Sequence, residues 1–320
     1  MIWMTDHLVI DNMSFFTLLT NLRLCYQHAL QSRSFEFSRD AILAEWAEHL
    51  FQVAHRDEVT RELEFWVSHF PASQQQKCLG PVGPNGSSPR IQSITAVISE
   101  SETASAYSYL STNKLTLEEL CLASLLAGYQ QFSQASRVLI RMIFSGREAR
   151  VEGLDLTRGL GWFSVRYPAL FHMDQGVAQP GFLETVVGQH RAYMNKREHY
   201  GLLRYMNHEL GSKLEAVEDW TQSLGFNCLG EIDPQSRPDD QFSLSTEGMQ
   251  ALLEFTEQRQ DCDRGLRFFV LQGKLHIQVL FRTGAFSSEN MRDLLEKTRD
   301  SFLEICRIAD LPMSTAAVRG

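Results

Sequence analysis

Near its start the chain reads Thr5-Asp6-His7-Leu8-Val9-Ile10-Asp11-Asn12-Met13-Ser14-Phe15. His7 and Asp11 bracket three apolar residues that favour β-structure, and a polar turn with a hydroxyl follows. This layout predicts a short buried strand that delivers His7 into a cavity, with Asp11 anchoring the loop after it. Histidine is the side chain best suited to move or hold a proton near neutral pH. His7 is therefore a candidate catalytic residue, and the alternative is a packed or solvated structural histidine.

The composition is that of an ordinary globular protein. The 320 residues are enough for one large or two medium domains, since 43% of them are apolar and 22% are charged. A net charge of -9, without a run of lysines or arginines, argues against a nucleic-acid partner. Six scattered cysteines predict reduced thiols, and no apolar run approaches membrane-spanning length. We expect a soluble, cytoplasmic protein without a membrane partner, a metal site or a directly bound cofactor.

Hydrophobic periodicity predicts helices and strands that alternate along the chain. Helices are predicted over 15–30, 42–51 and 59–70, after the capping box Thr116-Leu117-Glu118-Glu119, over 182–197, in part of 210–224, and after Ser287-Ser288. Strands are predicted over 94–98 (edge-like), 138–144 and 226–229, and as a hairpin of 266–271 and 275–281 with His276 on the surface. Residues 73–90, rich in Gln, Gly, Pro and Ser, predict a linker. The fold class is mixed α/β.

Four blocks of the sequence, in order, resemble one family. They are Asp6-His7-Leu8-Val9-Ile10-Asp11-Asn12-Met13-Ser14, then Ser145-Gly146-Arg147-Glu148 followed by Asp155-Leu156-Thr157-Arg158-Gly159-Leu160-Gly161-Trp162-Phe163 and Tyr167-Pro168, then His199-Tyr200-Gly201-Leu202-Leu203-Arg204-Tyr205, and last Phe226-Asn227-Cys228-Leu229-Gly230-Glu231-Ile232-Asp233. The family is the condensation/epimerization superfamily of nonribosomal peptide synthetases, and the blocks are most similar to its epimerization-type branch. The resemblance implies a two-lobe chloramphenicol-acetyltransferase-like fold with mixed sheets, in which the first lobe is incomplete. By this resemblance, residues 1–72 are the C-terminal part of the N-terminal lobe and carry the histidine motif. Residues 73–90 are the linker, and residues 91–320 form the C-terminal lobe.

The resemblance implies a role for each matched residue. His7 is the catalytic histidine, and Asp11 is a structural residue that pairs with an arginine. Unless Arg147 or another basic group supplies that partner, the carboxylate is stranded or solvated. The resemblance assigns Asn227, Ser145, Arg147 and Tyr200 to the substrate tunnel. For Asn227 a plain turn or strand-end role stays open, and for Arg147 a local salt bridge with Glu148 stays open.

The implied partners are peptidyl or aminoacyl carrier domains and adjacent synthetase domains. The carriers present their substrates as thioesters on phosphopantetheine, so this chain itself needs no cofactor. The sequence departs from the epimerization pattern at Ile143 and Ser145, where the family has a glutamate and a histidine, and at Asp6 and Asn12 in the histidine motif. The predicted function is thus a condensation-superfamily, epimerization-like domain acting on carrier-bound thioesters, partial or degenerate. The alternatives are an inactive remnant that docks carrier domains and a free-standing acyltransferase that uses coenzyme A thioesters.

Overall fold

A computed structural model describes residues 9–34, 42–70, 91–148, 154–173, 181–220, 223–232, 264–283 and 286–310. The helices are α1 (Asn12–Leu30), α2 (Ile42–Val53), α3 (Asp57–Thr60), α4 (Leu63–Val67), α5 (Glu100–Asn113), α6 (Leu117–Ser133), α7 (Phe182–Tyr193), α8 (Arg197–Gly201), α9 (His208–Glu215) and α10 (Ser288–Asp310). The strands are β1 (Ile91–Val97), β2 (Arg137–Phe144), β3 (Val165–His172), β4 (Leu224–Glu231), β5 (Arg264–Leu271) and β6 (Lys274–Arg282). His7 and the predicted linker 73–90 lie outside the described residues.

The described strands form one mixed sheet in the order β1-β6-β5-β4-β2-β3. Strand β4 runs parallel to both β2 and β5, and the other neighbours are antiparallel. The predicted hairpin is confirmed, because β5 and β6 pair directly around Gln272 and Gly273, which both have positive φ. The edge position predicted for the first strand is confirmed as well. At the opposite edge, β3 contains Pro168, which has no backbone N–H to donate. An edge strand tolerates proline because it has a neighbouring strand on one side only.

Helix α6 lies at the centre of the core. Its eleven consecutive residues 119–129 are all buried. The predicted capping box starts it: Thr116 Oγ1 accepts from the Glu119 N–H (3.1 Å), and the Glu119 carboxylate accepts from the Thr116 N–H (2.9 Å). Helix α10 packs against α6 so closely that a Cβ at Gly128 would lie 2.6 Å from the backbone nitrogen of Thr298. A side chain at Gly128 would therefore force the two helices apart.

The segment before the predicted linker shares a hydrophobic core with the residues that follow it. Val59 and Trp66 are fully buried, and the Trp66 ring meets the ring of Tyr200 with centroids 5.4 Å apart. Glu62 adds a polar contact, since its carboxylate accepts from Lys196 Nζ (2.7 Å) and lies 3.0 Å from His199 Nδ1. The helix predicted over 59–70 is found as the short helices α3 and α4, separated by a turn.

Two features differ from the sequence prediction. The prediction that His276 lies on the surface is wrong: its ring is half-buried and stacks on Phe269, with centroids 4.9 Å apart. The second face of β6 is covered as well, because Gln278 and Leu280 are both buried. Helix α1 is the other case: it begins at Asn12, three residues before the predicted start, and Ser14 is the one buried residue of its 19, with its apolar side chains half-buried or exposed.

Candidate functional site

Asp11 is the last residue of the stretch 5–11, called here the histidine segment, and it is the N-cap of α1. As the N-cap of α1, its Oδ1 accepts from the Ser14 N–H at 2.8 Å, which satisfies one of the free donors of the first turn. Its Oδ2 accepts from the Phe163 N–H at 3.1 Å, and its own N–H donates to the Gly161 carbonyl at 3.1 Å. One short turn is thereby attached to a loop that lies about 150 residues later in the chain.

Arg147 supplies the positive charge that balances Asp11. Its Nη2 donates to Asp11 Oδ1 at 2.7 Å, and both side chains are almost completely buried. Its Nη1 donates to the Leu156 and Gly159 carbonyls at 2.9 and 2.7 Å, and the guanidinium carbon lies 4.3 Å from the centroid of the Phe163 ring. The arginine that Asp11 needs is thus within this chain. Arg147 pairs with Asp11 rather than with Glu148, whose carboxylate contacts Arg197 instead.

The electrostatic environment keeps Asp11 ionised. Burial alone would raise the pKa of Asp11, but hydrogen bonds from Ser14, Arg147 and Phe163 and the charge of Arg147 outweigh it, so the pKa lies below its ordinary value. A buried carboxylate and a buried guanidinium are stable together only when their remaining donors and acceptors are satisfied. Four hydrogen bonds from Nη1 and Nη2 of Arg147 meet most of this condition, and its buried Nε is left without a partner among the described residues.

Gly146 lets Arg147 reach this position. It has φ +67°, a conformation that side-chain-bearing residues rarely adopt, and a Cβ would lie 1.9 Å from the Phe163 carbonyl oxygen. The chain leaving β2 therefore turns sharply against the loop that carries Phe163. The block Ser145-Gly146-Arg147-Glu148 is a turn that brings one guanidinium to Asp11 and Ser14 at the start of α1.

The two other polar residues predicted near the tunnel lie at or next to the sheet. Ser145 follows β2 directly and is half-buried, and its Oγ is 3.5 Å from the backbone nitrogen of Arg147. Asn227 is half-buried on β4, in register with Arg267 on β5. Since Met142 and Phe226 are paired in the parallel ladder, Ile143 and Asn227 follow them on neighbouring strands and share a face. An isoleucine thus stands beside Asn227, where the resemblance implies an acid in epimerization domains.

Tyr200 has a different environment from these residues. Its ring is buried among Trp66, Phe70 and Trp220, and its hydroxyl donates to Glu218. Arg204 of the same block donates to Glu218 at 2.9 Å. The contacts of Tyr200 that the structure describes are those of a core residue and do not join it to the Asp11–Arg147 pair.

A second group of ionisable side chains surrounds the start of α6. Burial raises the pKa of Glu118 to about 7, with Glu148 and Glu119 adding to the shift and Arg197 opposing it. Glu118 lies 3.9 Å from Nε2 of His190, whose own pKa is lowered by burial. The Arg197 guanidinium stacks over the ring of Phe144, 3.9 Å from its centroid. Phe144 and Tyr167 belong to the face of the sheet that packs on the helices, so this group is separate from Ile143 and Asn227.

Several residues of the site carry no role in the sequence prediction. Ser14 and Gly161 are hydrogen-bonded to each other; Ser14 also accepts from Arg147, and Gly161 accepts from the Asp11 N–H. Both residues lie in the blocks that carry the family resemblance, yet the sequence prediction gives them no role. The spacing Asp11-x-x-Ser14 is a helix-start signal that points to this turn. Among the described residues, no group of three or more His, Cys, Asp or Glu side chains is arranged to hold a metal ion. Within the same ranges, no helix has the length and apolar character needed to cross a membrane.

The architecture is that of a chloramphenicol-acetyltransferase-like protein, as predicted, and solved structures share it. The epimerization domain from the third module of tyrocidine synthetase B matches with a TM-score of 0.76 at 20% identity, covering 95% of this chain and 68% of that chain. The first condensation domain of the calcium-dependent antibiotic synthetase matches with a TM-score of 0.64 at 14% identity, covering 94% and 62%.

The sequence comparisons give the family. The family model of the condensation domain matches residues 1–318, and the chain belongs to that family. Bacitracin synthase 3 of Bacillus licheniformis is 27% identical over 231 residues, covering 71% of this chain and 4% of that protein. Bacitracin synthase 2 of the same organism is 23% identical over 299 residues, covering 92% and 11%. The chain thus spans a small part of these large synthetases, and the resemblance found in the sequence is confirmed.

Proposed function

We propose that this chain acts on aminoacyl or peptidyl thioesters presented by carrier domains, with His7 as the central catalytic residue. The carriers bring their substrates on phosphopantetheine, and the neighbouring partners are other synthetase domains. The proposal is supported by membership of the condensation-domain family and by similarity to peptide synthetases. A cytoplasmic location suits a protein that meets such carriers.

The single observation that carries the proposal is the buried Asp11–Arg147 pair. It joins the end of the histidine segment to the turn that follows β2, with 2.7 Å between Arg147 Nη2 and Asp11 Oδ1. Loss of either partner would leave an uncompensated buried charge, so the pair holds this loop firmly in one arrangement. The pair holds the backbone four residues after His7, and a catalytic side chain needs such an anchored loop.

Amide formation is the chemistry that these residues support best. The amine nitrogen of one tethered substrate attacks the thioester carbon of the other, the carbon–sulfur bond breaks, and the thiol leaves. His7 orients the amine or takes its proton, and a neutral imidazole is adequate for this task because free histidine has a pKa of about 6.5. Most of the rate gain comes from holding two tethered reactants together.

Epimerization needs more than one histidine supplies. A Cα proton must leave one face of the thioester and return to the other, and the enolate that develops needs nearby donors or positive charge. The resemblance implies that epimerization members carry out this task with the motif histidine and a glutamate at the position of Ile143. An isoleucine side chain cannot carry a proton, so we propose condensation rather than epimerization for this chain.

The test is to incubate the chain with a donor and an acceptor carrier, both loaded with amino acids deuterated at Cα. We expect an amide product by mass spectrometry and no loss of deuterium from the Cα position. His7→Ala should lower the rate by about 100-fold or more, because general base catalysis contributes on that order. His55→Ala is the matched control, since His55 is exposed and contacts the Phe51 carbonyl in the last turn of α2.

Each other outcome has a definite meaning. Loss of Cα deuterium without amide formation would show epimerization and overturn the assignment to condensation. Carrier binding without either product would favour the inactive docking module. Equal rates for wild type and His7→Ala would remove His7 from the mechanism.

A further inference from the structure

The hydroxyl of Ser14 lies at the junction of three segments. It donates to the Gly161 carbonyl at 2.7 Å and accepts from the Gly161 N–H at 3.0 Å. It also accepts from Arg147 Nη2 at 2.8 Å. Ser14 is fully buried, so no solvent replaces any of these contacts. One hydroxyl thus uses its donor and two acceptor positions at once.

The three segments meeting at Ser14 are those that carry the proposed site. The first turn of α1 continues directly from the histidine segment, Arg147 follows Ser145, and Gly161 belongs to the block before β3. Asp11 contacts the same two partners, through Arg147 Nη2 at 2.7 Å and the Gly161 carbonyl at 3.1 Å. The Asp11 carboxylate balances the positive charge of Arg147, and the Ser14 hydroxyl determines where the Gly161 peptide lies relative to α1.

We propose that Ser14 is a positioning residue for the reaction assigned to His7: its hydroxyl sets the register between the first turn of α1 and the loop at Gly161, and thereby fixes the backbone at Asp11, four residues after His7 in the sequence. This inference rests on the proposed function of His7. Asp11 reaches only the Gly161 carbonyl, through its backbone N–H, whereas the Ser14 hydroxyl bonds both the carbonyl and the N–H of Gly161. A buried hydroxyl is the smallest group that satisfies both.

The substitutions that separate positioning from mere stability are Ser14→Ala and Ser14→Thr. Alanine removes all three hydrogen bonds and leaves the Gly161 N–H buried without its partner. Threonine keeps the hydroxyl and adds one methyl group. Ser105→Ala is the matched control, because the Ser105 hydroxyl is exposed and donates only to Ser101 of its own helix.

The first measurement is the rate of amide formation by the full chain at a temperature where all variants are folded. For Ser14→Ala we expect kcat to fall by about 10- to 100-fold, the effect of a small misplacement of a catalytic group, with KM changed by less than about threefold. Ser14→Thr should recover most of the rate, and Ser105→Ala should match wild type. A KM effect without a kcat effect would overturn the proposal.

The second measurement does not depend on activity. With isotope-labelled histidine, the His7 signal is assigned by its disappearance in His7→Gln, and its chemical shift is followed across a pH titration. We expect the shift and midpoint of His7 to change in Ser14→Ala, and to be retained in Ser14→Thr and Ser105→Ala. An unchanged His7 signal in folded Ser14→Ala refutes positioning by Ser14. If the signal changes but wild type forms no product, the proposed function fails and the positional link stands.

Discussion

Helices α1 and α6 are of similar length and apolar content, and both begin at a side-chain cap, yet they are held in different ways. In α6 the eleven residues 119–129 are buried by the sheet and α10, so apolar packing fixes it. In α1, Ser14 is the one buried residue, and the described contacts that bury it are polar. A helix can therefore be fixed at one end by a buried ion pair and a hydroxyl while its apolar sides stay half-covered.

The largest effect should come from breaking the polar anchor of α1. Asp11→Ala leaves the buried guanidinium of Arg147 uncompensated, so we expect a loss of about 3–5 kcal/mol in the free energy of unfolding. Urea denaturation at neutral pH measures it. Asp57→Ala, at an exposed residue whose described ion pair is with Arg61, is the control and should change stability by less than about 0.5 kcal/mol. A loss below about 1 kcal/mol for Asp11→Ala would mean that the anchor is not what holds α1.

A matched pair of leucines tests the comparison directly. Leu122 of α6 is fully buried, whereas Leu22 of α1 is half-buried. We expect Leu122→Ala to lower the free energy of unfolding by about 2–5 kcal/mol, because it leaves a cavity in a close-packed core. Leu22→Ala should lower it by about 1 kcal/mol or less. Equal losses would show that α1 is packed as tightly as α6.

The N-caps of α1 and α6 should also contribute different amounts to the free energy of unfolding. Thr116→Ala removes only the hydroxyl of the α6 capping box, so we expect a loss of about 1 kcal/mol in the free energy of unfolding. Ser99→Ala, at the capping box of α5, provides a second neutral cap for comparison. If Thr116→Ala were as damaging as Asp11→Ala, the ion pair would add nothing to the cap of α1.

The smallest predicted effect depends on pH and concerns the start of α6. Because the pKa of Glu118 rises on folding from 4.5 to about 7, the carboxyl stabilises the fold below its unfolded pKa, and this stability is lost as pH rises through the folded value. Its side chain is 32% exposed, so screening reduces the effect to about 1 kcal/mol. Glu118→Gln should therefore gain stability over wild type between pH 5 and 8, measured by thermal unfolding. A constant difference between the two proteins across this range would contradict the shift.

Local signals in the sequence predicted much of the fold. The Thr116 capping box, the Gln272-Gly273 turn and the edge strand before α5 are each specified by neighbouring residues, and the structure confirms them. Strand β3 was missed because Pro168 argues against a strand, and only its place at the sheet edge makes it compatible. Helix α5 was missed because its Ser- and Thr-rich sequence buries only Thr103, Ala106 and Leu110.

The candidate site was predicted in its parts but not in its connections. The blocks around Asp11 and Arg147 were recognised, yet their pairing spans 136 positions, and no local pattern reports such a contact. The hydroxyl of Ser14 was noticed without a role for the same reason, since its partner Gly161 lies 147 positions away. Tyr200 shows the opposite limit, because a tyrosine in a matched block looks the same in sequence whether it faces a substrate or a core.

The central claim is that Asp11 and Arg147 are energetically coupled and thereby fix the start of α1. A double-mutant cycle with Asp11→Ala, Arg147→Met and the double variant, measured by urea denaturation, tests it most directly. We expect a coupling free energy of about 2–3 kcal/mol, with the double variant markedly less destabilised than the sum of the single variants. A coupling near zero would show that the two side chains lie close together without supporting each other, and that the start of α1 is held by something else.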